Sequence, residues 1–192
     1  MQITNAVALK EWAVIIEALL AGRQIILLRK GGISEEGGRF AVDYREFFLY
    51  PTYVHQQEVG IKEADRKLLQ TMRPPSKGYI ELRAYASVTF IAQLKEWEAV
   101  AALEPFHIWS AEEIRNRFDR RAPDLTVMAL RVFRLTRAIP IQEEERFAGC
   151  RSWVTLESSL ITDSPMPVLT EKKYLEKLTM VRQALARKGA RK

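Results

Sequence analysis

The sequence predicts an α+β fold in which helices flank a mixed β-sheet. The strongest observation is the alternation of apolar with polar or small residues over 79–92, which is typical of a long strand or of two strands joined by a bend. Shorter apolar runs at 24–29 and 46–50 predict two more strands, the second ended by Pro51. Apolar positions on one face of 174–185, with basic residues on the other, predict an amphipathic C-terminal helix.

The first patterned segment, residues 9–20, fits two structures. Its apolar residues follow the spacing of a helical face, and Thr4 or Asn5 could cap such a helix while Gly22 ends it. A strand fits too, because apolar residues also alternate along it and the run Val14–Ile16 is β-branched. We favour the helix, and both alternatives stay open at this point.

The other elements follow from shorter patterns and from glycine and proline. In chain order these are a flexible glycine-rich loop at 31–38, a helix at 56–72, a strand at 96–103 for which a helix is the alternative, a helix at 110–118, a strand at 125–137 and a strand at 152–156. Ser110 and Glu113 match a capping box, which predicts the start of the helix at 110–118. Near Arg131 the apolar pattern changes from both faces to one, as a bulge would cause.

Length and charge define the expected organisation. The chain has 192 residues, which suits one α+β body over 1–163 followed by a connector and a basic helix with its tail over 164–192. The net charge is +6, and the stretch 171–192 carries all of it, because its basic residues exceed its two glutamates by that number. The body is therefore neutral, and a polyanionic partner is expected at the C-terminal helix.

Several classes of protein are excluded by composition. A single cysteine excludes a disulfide scaffold, and no apolar run approaches the roughly 18 residues of a membrane span. No secretion signal precedes the first element. These observations predict a cytoplasmic protein without membrane contact.

Residues that carry catalytic chemistry are few. His55, His107 and Cys150 are far apart and show no ligand spacing, so we expect no metal and no cofactor. Cys150 is the one candidate nucleophile, since Arg151 could lower its pKa, but a lone cysteine at a strand start is more often a core residue. Glu81 with Arg83 imitates a nuclease pair but lacks its lysine.

Two groups of residues are candidates for binding. The predicted ligand contacts are Arg29, Lys30, Tyr50, His55 and Gln56, which follow the ends of the first two predicted strands. Nucleic-acid contacts are predicted at Arg83 and Tyr85, on the outward face of the long strand with Tyr79, and at Lys172, Lys173 and Arg182 on the basic helix.

Five motifs resemble those of a bacterial family of unknown function, number eighteen-oh-two among the domains of unknown function. The motifs are ALKEW at 8–12, LLRKGG at 27–32, FLYPT at 48–52, HQ at 55–56 and GCRSW at 149–153. The resemblance covers roughly residues 6–158 of this chain. It implies an association with restriction–modification or defence systems, because some members of that family occur with restriction endonuclease modules. No such module is present, so an endonuclease partner would do the cutting.

The order of elements is also similar to that of PUA-like domains, which include the ASCH and EVE groups. The similarity lies in a helix ending at Gly22, a strand ending at Arg29 and a strand at 47–50. It implies a small mixed β-barrel or a strongly curved sheet, and binding of RNA or of modified bases. The ASCH signature needs an acidic residue that this sequence lacks at 27–29, which puts an ASCH-type ligand pocket in question.

These observations favour a binding domain for DNA or RNA that catalyses no reaction. The first alternative is a protein-interaction module or homodimer that docks through the terminal helix. The second is a nuclease or a thiol-dependent enzyme.

Overall fold

The protein folds around one mixed sheet of seven strands, which confirms the α+β prediction. The computed structural model describes residues 2–30, 40–53, 56, 58–72, 75–147, 149 and 151–189, so the predicted loop at 31–38 lies outside the described residues. The strands are β1 (Gln2–Trp12), β2 (Ile26–Arg29), β3 (Glu46–Thr52), β4 (Tyr79–Leu94), β5 (Leu125–Gln142), β6 (Trp153–Asp163) and β7 (Met166–Pro167). The helices are α1 (Ala13–Leu20), α2 (Lys67–Thr71), α3 (Trp97–Ala101), α4 (Ala111–Asp119) and α5 (Glu171–Gly189).

The sheet is curved but does not close. Its strand order is β2-β5-β4-β3-β1-β6, with β7 paired to β5, and β1 and β3 run parallel while the other described pairs are antiparallel. Within the described residues, β2 and β6 remain at the two edges, so the β-barrel alternative is wrong. The curvature is nevertheless strong, because β5 and β6 approach within 8 Å between Cα atoms although three strands separate them in the sheet.

The ambiguous segment at the start of the chain contains both a strand and a helix. Residues up to Trp12 belong to β1, which is an interior strand because β3 pairs with one edge and β6 with the other. The helix therefore begins at Ala13, and the caps expected at Thr4 or Asn5 are wrong. Gly22 ends the helix as predicted, with φ of 66°. Every residue of α1 except Glu17 is buried, which explains why an alternating pattern fitted it equally well.

The long strand is confirmed, and it pairs with β5 along almost its whole length. Two register shifts interrupt the pairing, between Leu82 and Ala84 and between Val88 and Phe90. The second places an extra residue, Thr89, in β4 beside the position where β5 changes from burial on both faces to one. The change near Arg131 is therefore confirmed, but the bulge that accompanies it lies on the partner strand.

Three further predictions about strands and helices differ from the structure. β3 continues through Pro51, which is the register partner of Glu11 in β1 and lies beyond the described pairing of β3 with β4 at residues 46–48. Residues 56–72 are not one helix: two short 3-10 turns precede α2, and Ile61 between them bridges to Trp109. At 96–103 the favoured strand is wrong and the alternative, a helix, is confirmed: α3 buries Val100 and is followed by the buried Leu103.

The strand predicted at 152–156 is confirmed as β6, which begins at Trp153 and continues to Asp163. The predicted helix at 110–118 is confirmed as α4, since the Ser110 hydroxyl accepts a hydrogen bond from the Glu113 amide. Glu113 itself pairs with Arg117, so only half of the capping box forms.

Two hydrophobic clusters lie on the two faces of the sheet. The larger contains α1, most of β2 and the first half of β5, and α5 joins it through the buried side chains of Tyr174, Leu178 and Val181. The smaller contains Phe48, Tyr50, Leu82 and Phe147. No helix within the described residues has the length and apolar character to cross a bilayer.

Candidate functional site

The described segments that carry the family-like motifs meet at one end of the sheet, where β1 and β3 finish. We call this end the carboxyl edge, as distinct from the two side edges formed by β2 and β6. β1 and β3 are parallel, so their carboxyl ends lie side by side, and the antiparallel β6 begins at the same place. β2 delivers the Arg29 guanidinium to this edge. Its Nη1 donates to Glu11 Oε2 at 2.9 Å and to the Lys10 carbonyl at 3.1 Å, and its Nη2 donates to Ser152 Oγ at 2.9 Å. We call Glu11, Arg29 and Ser152 the edge triad.

Burial strengthens the electrostatic interaction between the two charged members of the edge triad. The Glu11 and Arg29 side chains are only 1% and 13% exposed. Glu11 Oε1 accepts from the Trp12 amide at 2.8 Å, and the guanidinium also lies 5.1 Å from the centre of the Phe40 ring. The Nε of Arg29 is buried without a hydrogen-bond partner in the described part of the chain. The arrangement is a charge-neutral clamp joining three strands, in which removal of either ion would leave the other buried and unpaired.

Lys30, the predicted ligand contact next to Arg29, stabilises the junction between β2 and the loop before β5. Its ammonium contacts the carboxylate of Asp124, the Asp124 carbonyl at 2.9 Å and the Ala122 carbonyl. The side chain is 6% exposed. Lys30 therefore ties the end of β2 to the loop before β5, and its donors are directed into the protein.

Of the remaining predicted ligand contacts, Tyr50 and Gln56 are described and have different positions in the fold. Tyr50 is buried on the opposite face of the sheet from Arg29, with its ring 6.0 Å from that of Phe147. Burial, and then the charges of Glu143 and Glu144, raise the pKa of Tyr50 to about 12. Gln56 accepts a hydrogen bond from the Val14 amide at 3.3 Å and so caps the start of α1. His55 and Cys150 lie outside the described residues.

Tyr85 is not on an outward face, contrary to the expectation that placed it beside Arg83. It is 3% exposed, its ring packs 5.1 Å from Phe48, and its hydroxyl accepts from Asn5 Nδ2 at 3.1 Å. The cause is the register shift next to Leu82: Leu82 and Tyr85 belong to the smaller cluster, whereas Ala84 belongs to the larger one. Simple alternation therefore fails beyond this point.

Arg83 itself is exposed and pairs with Glu17 on α1 at 2.5 Å. The Tyr79 ring on the same strand is 47% exposed. With Tyr85 buried and Arg83 paired with Glu17, the stacking platform predicted on β4 retains only Tyr79 as an exposed aromatic residue.

The basic face of α5 is the group of exposed cations Lys172, Lys173, Arg182 and Arg187. Two polar contacts join α5 to the rest of the fold. Arg131 pairs with Glu171 at 3.1 Å, and the Lys177 ammonium donates a hydrogen bond to the Arg23 carbonyl at 3.3 Å. The Arg182 guanidinium lies 5.2 Å from the centre of the Phe90 ring. Tyr174, Leu178 and Val181 hold one side of α5 against the body, whereas Lys172, Lys173 and Arg187 are exposed to solvent and can contact phosphate.

Sequence reasoning missed the pairing within the edge triad. The one local signal was Glu11, a carboxylate in a strongly apolar stretch, since a buried acid requires a partner. Its partner is 18 residues away and Ser152 is 123 residues from Arg29, so spacing could not identify them. Across the residues with described positions, no three histidine, cysteine or acidic side chains are close enough to hold a metal ion.

Fold and site together define the class: an α+β domain with an open curved sheet, a buried ionic clamp at one edge and a cationic terminal helix. The chain belongs to the family described as Domain of unknown function (DUF1802), whose model matches residues 8–179. The resemblance noted in the sequence motifs is thus confirmed, and the match continues into α5 instead of stopping at residue 158.

Comparison with curated proteins gives no match. Among solved structures, the chain is similar to ASCH from Zymomonas mobilis, with 14% identity and a TM-score of 0.46 over 90% of this chain and 92% of that chain. A single-residue mutant of the same protein gives 13% identity and a TM-score of 0.46, over 90% of this chain and 95% of that chain.

Proposed function

We propose that this chain is a nucleic-acid-binding domain that catalyses no reaction and that contacts phosphates through the basic face of α5. The observation that carries the proposal is the position of the charge. The stretch 171–192 carries the whole excess of +6. Within its described part, Tyr174, Leu178 and Val181 are buried, whereas Lys172, Lys173 and Arg187 are exposed. Such a row of cations gains affinity for a polyanion by releasing condensed counterions, without reading its sequence.

The cellular setting is proposed from the family-like motifs. We place the domain in the bacterial cytoplasm, in a restriction–modification or defence system. An endonuclease partner would then supply the cleavage, and the domain would supply binding. Neither a cofactor nor a metal enters this function.

The salt dependence of binding tests the proposal. Replacing Lys172, Lys173 and Arg187 by glutamate should reduce the slope of log Kobs against log salt by about 2 to 3, because each phosphate contact contributes about 0.9. Fluorescence anisotropy with labelled single-stranded DNA, duplex DNA and RNA measures the slope and separates the three polymers. Charge reversal is preferable to truncation, since removing α5 would expose the core beneath Tyr174, Leu178 and Val181.

A matched control reverses three exposed arginines outside α5, namely Arg120, Arg121 and Arg151. The formal change in charge is identical, so a general effect of net charge would lower the slope equally in both variants. An unchanged slope in the α5 variant, or an equal fall in the control, would contradict the proposal.

An interaction module is the alternative that one observation favours. Leu175 and Met180 on α5 are 49% and 54% exposed, more than a helix needs if it contacts only solvent and phosphate. On this alternative the protein self-associates, and replacing both residues by serine should restore the monomer mass in sedimentation experiments. A monomer at all concentrations would exclude the homodimer.

A further inference from the structure

A cleft of about 520 Å³ opens between residues 139–142 at the end of β5 and residues 156–160 in the middle of β6. It lies on the face of the smaller hydrophobic cluster, whereas α5 packs on the other face. Its lining is mixed: Ile139 and Ile141 from β5, Leu156 and Leu160 from β6, and Phe147 supply the apolar part, and the polar part is Gln142, Glu144, Glu157 and Ser158. The cleft exists because the sheet curves until these two strands approach without pairing. None of the sequence motifs pointed to it.

The cleft also carries a negative charge in a molecule that is positive overall. Glu144 and Glu157 line it, and Glu157 is exposed. Arg146 holds Glu144 through two hydrogen bonds, of 2.7 and 3.0 Å, and so neutralises one of the two carboxylates. Burial, and then the charges of Glu143 and Glu144, raise the pKa of Tyr50, whose ring packs against Phe147 of the cleft. Glu157 is therefore the group that would meet a cationic ligand.

The two walls are strand edges that can accept a further strand. Among the described pairs, β6 is joined only to β1, and its register jumps so that residues 156–159 have no partner there. Residues 139–142 of β5 pair with β4 on one edge, while the other strands described on β5, β2 and β7, end at residues 129 and 134. At about 3.3 Å per residue, walls of four or five residues are roughly 13–17 Å long. That length suits a short extended segment, which edge strands bind through main-chain hydrogen bonds.

We propose that this cleft binds an extended peptide segment of a partner protein in which apolar residues alternate with lysine or arginine. Successive side chains of a strand point to opposite faces. The apolar side chains of the peptide therefore pack on the isoleucines and leucines of the cleft, and its lysines or arginines lie beside Glu157. The excess of +6 lies in residues 171–192 and the rest of the chain is neutral, so basic peptides are repelled from the C-terminal helix. Attraction is therefore confined to the acidic end, and it gives the cleft its selectivity.

Binding of a labelled peptide tests the proposal on the full-length protein. A fluorescein-labelled peptide that alternates valine with lysine should bind, and one that alternates valine with glutamate should not. Glu157→Lys should weaken the first peptide by about tenfold and strengthen the second. The control Glu98→Lys makes the same charge change at an exposed position on α3 and should leave both affinities unchanged.

Backbone amide shifts of the unaltered protein locate the peptide without any substitution, so the test stands even if the Glu157 variant fails to fold. The proposal expects shifts concentrated at 139–142 and 156–160. It is overturned if neither peptide binds, if the shifts fall elsewhere, or if Glu98→Lys has the same effect as Glu157→Lys. Self-association of the protein alone that Glu157→Lys abolishes would also overturn it, because a second copy would then occupy the cleft.

Discussion

At the scale of single residues, the edge triad shows how a charge becomes part of a core. Glu11 and Arg29 lie at the ends of two strands that do not pair with each other, so their contact joins parts of the sheet that backbone hydrogen bonds leave unconnected. Ser152 extends the clamp to the start of β6. A buried ion pair adds little net stability compared with apolar residues of similar size, but a broken one is costly.

Glu11→Gln should lower the free energy of unfolding by about 3–5 kcal/mol, because it leaves the Arg29 guanidinium buried without a counter-charge. The double replacement Glu11→Leu with Arg29→Met should recover most of this loss. Urea unfolding measures both. Arg83→Met is the matched comparison, since it breaks the exposed pair with Glu17 and should cost less than about 1 kcal/mol. Equal losses in Glu11→Gln and Arg83→Met would refute the role of burial.

His107 gives the protein a predictable response to acid. The side chain is 5% exposed, and its ring lies 5.6 Å from that of Trp109. Burial, and then the charge of Lys62, lower the pKa of His107 to about 3. The imidazole is therefore neutral in the folded protein at a pH where the unfolded chain, with a pKa near 6.5, takes up a proton.

Stability should consequently fall as the pH is lowered from about 6.5 towards 3, since the unfolded state binds the extra proton. His107 contributes at most about 1.4 kcal/mol per pH unit to this slope. His107→Gln should flatten the curve of unfolding free energy against pH in that window and leave the curve above pH 7 parallel to that of the unaltered protein. Curves that stay parallel down to pH 4 would show that His107 does not titrate in this way.

At the scale of elements, α5 belongs to the same folded unit as the sheet. Tyr174 packs beneath the Arg131 guanidinium, 5.0 Å from the ring centre, and its hydroxyl contacts that of Thr89. Leu178 and Val181 continue this contact along the helix. Through these residues the helix that presents the cations is held in place by the strands β4 and β5.

Leu178→Ala should lower the free energy of unfolding by about 2–4 kcal/mol, because it opens a cavity between α5 and the sheet. Leu175→Ala removes the same atoms from a site that is 49% exposed and should cost less than about 0.5 kcal/mol. All four tryptophans precede α5, so their fluorescence reports on the body alone. A fluorescence transition that Leu178→Ala does not move would mean that α5 folds separately from the body.

At the scale of the whole molecule, the sequence predicts those features of the fold that depend on neighbouring residues. It does not predict features that depend on contacts between residues far apart in the chain. The alternation of β4 and the cap of α4 are local, and both were found. The change from strand to helix at Trp12 was not found, because it follows from pairing with β3 and β6.

The candidate site follows the same rule. Exposed cations on α5 can be identified from composition and helical spacing alone. The edge triad and the burial of Tyr85 cannot, because the first joins residues over 100 positions apart and the second depends on a register shift between two strands. A cleft formed by curvature, such as that between β5 and β6, has no sequence pattern at all.

The interior position of β1 has a consequence for synthesis. β1 is complete at residue 12, but the strand that covers one of its edges begins at residue 153. At about 5–20 residues per second the ribosome needs roughly 7–30 s to make the chain between them. Through that interval an apolar strand has an unsatisfied edge, which is where strands of other chains can attach. In the completed domain this edge is covered, since β1 pairs with β3 on one side and with β6 on the other.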